Sequence, residues 1–496
     1  MSAVLTFDMG ATNCKAVMAR FDGAHMTLHD VYRFPNRPIW AGGRYFWDFD
    51  ALLRGVKYAL TRAYEADNSL VSYAFDTWGC CFGFLDQNGR LLDRPAHYMD
   101  PFFKGSLKLV SRYVKPYQLF QLNGSEHTDN ATVSQLAAYK ELMPELFGQT
   151  AAILPTPNLF QYFLTGEKAL DETLAAIGGL MDQDTRRLNE QVLGLLGFKK
   201  ELFPALGRSG TVLGNISNAV AKELGIPRLQ ADMAAGHDTA GAAFAILGKD
   251  TEAAYLSCGT WSLMGIHTPN VNVSEYAFVN AYCNELDIGG GNRINRGVCG
   301  LFVYQQCLNE WKDAGEALDY VALNRMVQES RPFMAYLDLE DGYFFGAGNM
   351  ERRILDYLLK TGQPLPDSHG QMMRIVLESL AMKHRELFLG LEKLKGTSIE
   401  TVRAAGGGTK NHFLMQATAN AIGKPVLLCS SDCSAIGNAA AQLVANEELH
   451  GWDDARNLIE DSFPAEVLLP DDTAIWQEEY QRYLQVVNAE KRIYEE

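Results

Sequence analysis

Two segments far apart in the chain share one pattern, and that pattern restricts the architecture more than anything else in the sequence. In "FDMGATNCKAVMARFDG" an apolar run reaches Asp8, breaks at Gly10-Ala11-Thr12-Asn13, resumes behind Lys15 and ends at Asp22-Gly23. In "AAYLSCGTWSLMGI", residues 253–266, an apolar run turns on Ser257-Cys258-Gly259-Thr260 and continues as a second strand. Each predicts a β-hairpin, the first with strands over 3–9 and 14–21. Two similar hairpins, each opening one half of the chain, point to an internal duplication. A length of 496 residues exceeds one domain of about 100–250 residues and calls for two lobes. The boundary is expected near 242–250, where "AAFAILGKDT" ends a helix. That gives an N-terminal lobe of residues 1–245 and a C-terminal lobe of residues 246–496.

Between the hairpins the periodicity alternates. Strands are predicted over 71–76 and 82–86, and a helix over 50–66. Val376, Leu380, Leu387, Leu391 and Leu394 recur at helical spacing within 372–394, and Gly396 closes that helix. After it come the strand "ETVRAA", the turn Gly406-Gly407-Gly408, the helix "NHFLMQATANAI" stopped by Gly423, and the strand "PVLLCS". The class is α/β. The C-terminal "IWQEEYQRYLQVVNAEKRIYEE" reads as a surface helix.

The formal charge of −16 argues against nucleic acid or an anionic membrane as partner, since both reward a basic face. No stretch approaches the roughly 18 apolar residues of a membrane span. The N-terminus shows no basic region leading into an apolar signal core, so a cytoplasmic protein is expected. The nine cysteines, at 14, 80, 81, 258, 283, 299, 307, 429 and 433, lack a repeated CxxC spacing and read as mostly buried thiols. Cys429 and Cys433 have the spacing of half a metal site or a redox pair, but no second ligand pair accompanies them.

A polyphosphate ligand needs several backbone N–H groups aimed at one spot, and small residues let the main chain come that close. Three segments offer this: 10–13, 259–260 and 406–408. Each on its own is also ordinary turn chemistry. The chain has no G-x-x-x-x-G-K-[ST] and no G-x-G-x-x-G, which removes the P-loop and weakens a dinucleotide reading. Asp8, at the end of the first strand, is placed either to hold a hydrated Mg²⁺ against phosphate oxygens or to cap its own turn. Asp238, in "AAGHDTAGAAFAIL", reads most simply as an N-cap of the helix that follows. A carboxylate kept ionised at a helix N-terminus would also suit a group that receives a proton from a sugar hydroxyl.

Taken in order, "FDMGATNCK", "FDTWGCCFGFLDQNGRLL", "AAGHDTAGAA", "YLSCGTWSLMG" and "AAGGGTKNHFLMQATA" resemble the FGGY family of carbohydrate kinases. Within it the likeness is greatest to the rhamnulokinases and next to the L-fuculokinases. It extends over nearly the whole chain, including "VYRFPN", "YFWDFDAL" and "PNLFQYFLTG". The resemblance implies two ribonuclease H-like lobes of the actin and hexokinase type with the active site in the cleft between them, and ATP and Mg²⁺ as cofactors. It places Ala11, Thr12, Asn13, Cys14 and Lys15 in a first phosphate loop and Thr260 in a second, with Asp8 near the metal. It also matches Gln305 and Gly406, Gly407 and Gly408 to nucleotide contacts, and sets Asn411 beside the adenosine. Gly79, His237, Asp238 and Thr239 fall in the sugar site, with Asp238 as the base.

Three positions depart from the family. Where related kinases read Trp-Gly-Val-Asp, this chain reads Trp78-Gly79-Cys80-Cys81, so Cys81 replaces a sugar-facing carboxylate. Where rhamnulokinases read Tyr-Arg-Asp, it reads Tyr98-Met99-Asp100, and an asparagine of the sugar site falls on Gly297. Groups that hydrogen-bond sugar hydroxyls set specificity strongly, so the acceptor pocket is altered while the phosphate machinery is kept. The expected activity is ATP-dependent phosphorylation of a primary hydroxyl on a ketose or deoxyketose, by a monomer or homodimer. The rival is an inactive homologue that binds sugar or nucleotide as a sensor.

Overall fold

The computed structural model of the chain describes residues 2–495 except 317, 319 and 347; the side chains of 320 and 489–495 are not described. Strands form where β-branched and aromatic residues alternate or run unbroken between turn residues. The first hairpin is Ser2–Met9 with Asn13–Phe21, and the second is Ala254–Cys258 with Trp261–Thr268. Helix Phe49–Ala66 turns Phe49, Leu52, Val56, Ala59, Leu60 and Ala63 into the core at helical spacing, and Asp48 caps its start. The long helix His369–Lys395 runs a full turn beyond the apolar stripe and ends on Gly396 in the left-handed conformation. The C-terminal segment Thr473–Glu495 is helical.

Two compact units emerge. The first comprises residues 1–249, 267–294 and 432–464, and the second 250–266, 295–431 and 465–496. In the first, six strands run in the order Thr211–Asn215, Gln230–Met233, Leu70–Thr77, Ser2–Met9, Asn13–Phe21, Met26–Pro35. Ser2–Met9 pairs antiparallel with its hairpin partner and parallel with Leu70–Thr77. In the second unit Ala254–Cys258 does the same, antiparallel with Trp261–Thr268 and parallel with Val402–Ala405. The pairing scheme is thus repeated as well as the turn, in line with the duplication expected from sequence. Both units have the mixed α/β character predicted.

Helix Cys433–Ala445 seats the strand ends of the first unit. Gln442 donates to the Leu5 carbonyl at 3.1 Å and Asn438 to Asp76 at 2.6 Å. It crosses helix Asp238–Leu247 where Gly437 and Gly241 meet, and a side chain on Gly437 would strike the Gly241 carbonyl. Small residues at this crossing bring the start of helix Asp238–Leu247 onto the sheet. Six of the nine cysteines are buried, and all are free thiols. No helix among the described residues is long and apolar enough to cross a membrane.

Candidate active site

The carboxylate that opens the chain's first turn lies between charged neighbours set by strand register. Asp8 stands opposite Lys15 across the hairpin and opposite Asp76 on the parallel strand. Lys15 Nζ sits 3.2 Å from Asp8 and 2.6 Å from Asp432, the residue that precedes helix Cys433–Ala445. Burial pushes the Asp8 carboxyl above the usual carboxylate range, Lys15 opposes this, and Asp238 and Asp432 add to it. Asp76 is raised further, first by burial and then by Asp8, and its Oδ1 is buried with no hydrogen-bond partner. Asp8, Asp76, Asp238 and Asp432 thus cluster near Lys15, and the charge of Arg33 also acts on Asp8 and Asp432. No ready-made group of three metal-ligating side chains occurs among the described residues.

The turn itself is pinned from outside. Asn36 donates through its side chain to the Gly10 carbonyl at 3.0 Å and through its backbone to Thr12 at 2.9 Å. No hydrogen bond within the described residues uses the Ala11 and Thr12 amides, while Thr12 and Asn13 are exposed. Cys14 points into the core, and burial pushes its thiol up to about 12.

The loop ahead of Asp238 is held by residues that carried no signal in the sequence. The buried Asp171 accepts from the amides of Thr173, Leu174 and Gly236, and Thr173 Oγ1 accepts from the His237 amide at 3.0 Å. Asp238 was expected to cap the following helix, and this is corrected: His237 occupies the cap position, and Asp238 is the first helical residue. Its Oδ1 accepts from the Thr239 amide at 2.6 Å and the Thr239 hydroxyl at 3.0 Å, a local bond that replaces the reach to the next turn. Its Oδ2 has no hydrogen bond within the described residues.

Gly79 lies against His237, whose Nε2 would be 3.5 Å from a side chain placed there. Cys81 is buried beneath Trp47, whose indole N–H donates to the thiol at 3.3 Å, and burial pushes that thiol up to about 11. Cys80 takes a left-handed backbone, φ 71°, and its carbonyl accepts from Gln135 and Thr132. Such a conformation in a non-glycine residue costs of order 1–3 kcal/mol and is held by these contacts. Met99 is 61% exposed, while its neighbour Asp100 is buried and paired with Arg44 at 2.8 Å. Gly79, Cys81, Met99, His237, Asp238 and Thr239 belong to the first compact unit, whereas Gly297 belongs to the second.

In the second unit Thr260 donates to Gln305 at 3.0 Å, and its carbonyl accepts from the amides of Gly300 and Phe302. Gly406 has φ +97°, and a Cβ there would lie 2.5 Å from the Cys258 carbonyl oxygen; one on Gly408 would strike the Cys258 thiol. Only glycine lets this turn close on the second hairpin. Asn411 caps helix His412–Ile422 by accepting from Leu414, and its buried side-chain amide nitrogen has no partner.

Residues 3–245 match the N-terminal domain, and residues 254–446 the C-terminal domain, of the FGGY family of carbohydrate kinases. The chain is 31% identical over 473 residues to a rhamnulokinase of Bacteroides thetaiotaomicron, covering 95% of this chain and 97% of that one. It is 28% identical to a rhamnulokinase of Lactiplantibacillus plantarum, covering 98% of each. Among solved structures it resembles ligand-bound xylulose kinase from Lactobacillus acidophilus, with a TM-score of 0.83 and 17% identity over 99% of this chain and 98% of that one. It also resembles Plasmodium falciparum glycerol kinase with ADP, with a TM-score of 0.79 and 14% identity over 99% of this chain and 98% of that one. These likenesses bear out the two-domain fold of actin and hexokinase type.

Proposed function

Because the chain belongs to the FGGY family of carbohydrate kinases and is an ATP-dependent sugar kinase, we propose that its acceptor is a primary hydroxyl of a ketose or deoxyketose and that Asp238 is the base. The observation that carries this reading is the Asp238 carboxylate: Oδ1 is anchored on Thr239, and Oδ2 is left without a partner. In the transfer, the hydroxyl oxygen bonds to the γ-phosphorus and the bond from that phosphorus to the bridging oxygen breaks. ADP leaves with that electron pair, and the hydroxyl proton passes to Asp238 Oδ2. Such a reaction asks the protein chiefly for positioning and charge stabilisation.

The N-terminal lobe, residues 1–245, supplies the base and the first phosphate turn through Ala11, Thr12, Asn13, Cys14 and Lys15. The C-terminal lobe, residues 246–496, supplies Thr260, Gln305, Gly406, Gly407, Gly408 and Asn411 to the nucleotide. Asp8 is the residue to hold Mg²⁺. When bound, Mg²⁺ neutralises phosphate charge and polarises the γ-phosphoryl group. Gly79, His237 and Thr239 line the sugar site, with Cys81, Met99 and Gly297 where related kinases carry polar groups. The relatives named as rhamnulokinases bring L-rhamnulose into consideration, and these three replacements argue for another ketose.

The test is ADP release, measured by a coupled assay, with and without a panel of ketoses and deoxyketoses that includes L-rhamnulose and L-fuculose. One ketose other than L-rhamnulose should stimulate release most. The double variant Cys81→Asp with Met99→Arg should shift preference toward L-rhamnulose. L-rhamnulose as the best substrate by a wide margin would refute the altered-pocket reading, and stimulation by no ketose would refute the acceptor class.

A further inference from the structure

A buried row of charges leads from the interior of the first unit to Asp238, and its two inner members, Arg293 and Glu285, have no part in the proposed phosphate transfer. Arg293, on strand Asn292–Cys299, is fully buried and donates from Nη2 to Glu285 Oε2 at 2.7 Å. Glu285, on the neighbouring strand Cys283–Leu286, places the same Oε2 3.2 Å from His237 Nδ1. His237 in turn has Nε2 3.6 Å from Asp238 Oδ1. Arg293 also reaches the helix that carries the base, donating from Nη1 to the Thr239 carbonyl at 3.3 Å. The side chains of Glu285 and His237 are only 5% and 8% exposed.

Such a row is not explained by stability. Taking charges out of water costs as much as their attraction returns, and well-packed apolar residues commonly serve the fold as well or better. What the row does fix is the state of one imidazole. The Glu285 carboxylate beside Nδ1 favours one ring orientation by its charge, which leaves Nε2 to face Gly79 and Asp238.

The geometry points to Glu285 as a positioning residue of the transfer reaction: with Arg293 it holds the His237 ring so that Nε2 faces the Asp238 side of the sugar site. This rests on the reading of Asp238 as base. Nε2 stands 3.6 Å from Oδ1, the oxygen that Thr239 already engages, so that Oδ2 is the oxygen presented to the hydroxyl. Burial alone would lower the His237 pKa, but the charge and hydrogen bond of Glu285 and the charge of Asp238 outweigh burial and Arg293, and the pKa stands above its ordinary value. Glu126 and the thiols of Cys80 and Cys283 also lie near Glu285.

The sign of the pH effect follows. In the native protein His237 keeps its charge to a higher pH than an ordinary histidine and loses it as pH rises through its raised pKa. In Glu285→Gln the pKa falls, so His237 loses its charge at a lower pH than in the native protein. The deficit of Glu285→Gln in kcat/KM for the sugar should therefore reach about tenfold at a pH where the native His237 is charged and the variant's is not, the low end for losing a carboxylate that orients a functional histidine, and should shrink as pH is lowered. The KM for ATP should stay unchanged, and Glu285→Asp should recover most of the loss. A deficit equal at every pH, or none at all, would overturn the assignment.

The native protein supplies a second readout that needs no change at Glu285. Histidine-ring ¹⁵N shifts followed against pH, with the His237 signal identified by its absence in His237→Gln, should report a titration midpoint above that of an ordinary histidine. A midpoint at or below the ordinary one would overturn the proposal even if Glu285→Gln does not fold. Full turnover in Asp238→Asn would instead remove the base reading while leaving the His237 titration as found, so the two failures are separable.

Discussion

The two hairpins share a backbone plan and differ in charge. Each is a strand, a turn of small residues and an antiparallel return, with a parallel strand on the other side. The first carries Asp8 and Lys15 directly opposite each other and draws in Asp432. The second carries no charged residue from Ser257 to Ser262; its polar group, Thr260, is met by the neutral Gln305, and its back is covered by the glycine turn at 406–408. Backbone amides in a tight turn recognise phosphate wherever they occur, so duplication of the fold can supply them twice. Charge is a different resource: it is needed where a bond to phosphorus is made and broken, and each buried charge has a desolvation cost. On the proposed assignment, then, the side chains separate a turn that takes part in transfer from one that holds nucleotide.

That contrast fails if the two turns respond alike to loss of their polar groups. Asp8→Asn should lower kcat by about 10²-fold or more, because it removes the metal-holding carboxylate, and added Mg²⁺ should restore little of it. A Mg²⁺ titration of ADP release in wild type and variant checks this. Thr260→Ala removes one neutral hydroxyl contact worth about 1 kcal/mol, so the KM for ATP should rise about fivefold with kcat nearly kept. Steady-state kinetics at varied ATP separate the two patterns, and a kcat loss in Thr260→Ala equal to that in Asp8→Asn would dissolve the distinction.

The glycine turn sharpens the comparison by stability alone. Gly406→Ala meets both a positive φ and the Cys258 carbonyl, and should cost about 1–3 kcal/mol, seen as a fall in melting temperature of several degrees. Gly407→Ala, with open space at that position and no positive φ, should melt within about a degree of wild type. Equal losses would mean that the turn's close seat on the second hairpin does not matter.

Local chemistry was what the sequence made legible. Both hairpins, the helix stopped by Gly396 and the strand, glycine turn and helix around 402–422 could be read because each is written in adjacent residues. Asp238 was readable as a residue of interest but not in its local role. An N-cap pattern does not distinguish a carboxylate that reaches the next turn from one that bonds to its neighbour, and here Thr239 offers both an amide and a hydroxyl at once. Asp171, Glu285 and Arg293 could not be found in this way. Glu285 and Arg293 lie in short strands whose neighbours give no motif, and only the chain's long-range path brings them to His237. The one trace they leave is an acidic and a basic residue inside otherwise buried strands, a pattern that marks an ion pair without naming its purpose.

The central claim is that Asp238 takes the hydroxyl proton, and Asp238→Asn tests it most directly. The amide keeps an oxygen to accept from Thr239 and relieves the charge crowding around Asp8 and Asp76, so the protein should fold with an unchanged melting temperature and bind ATP as before. Sugar-dependent ADP release, measured on the same preparation, should fall by about 10²-fold or more, the usual range for loss of a general base. Release at the wild-type rate would contradict the account.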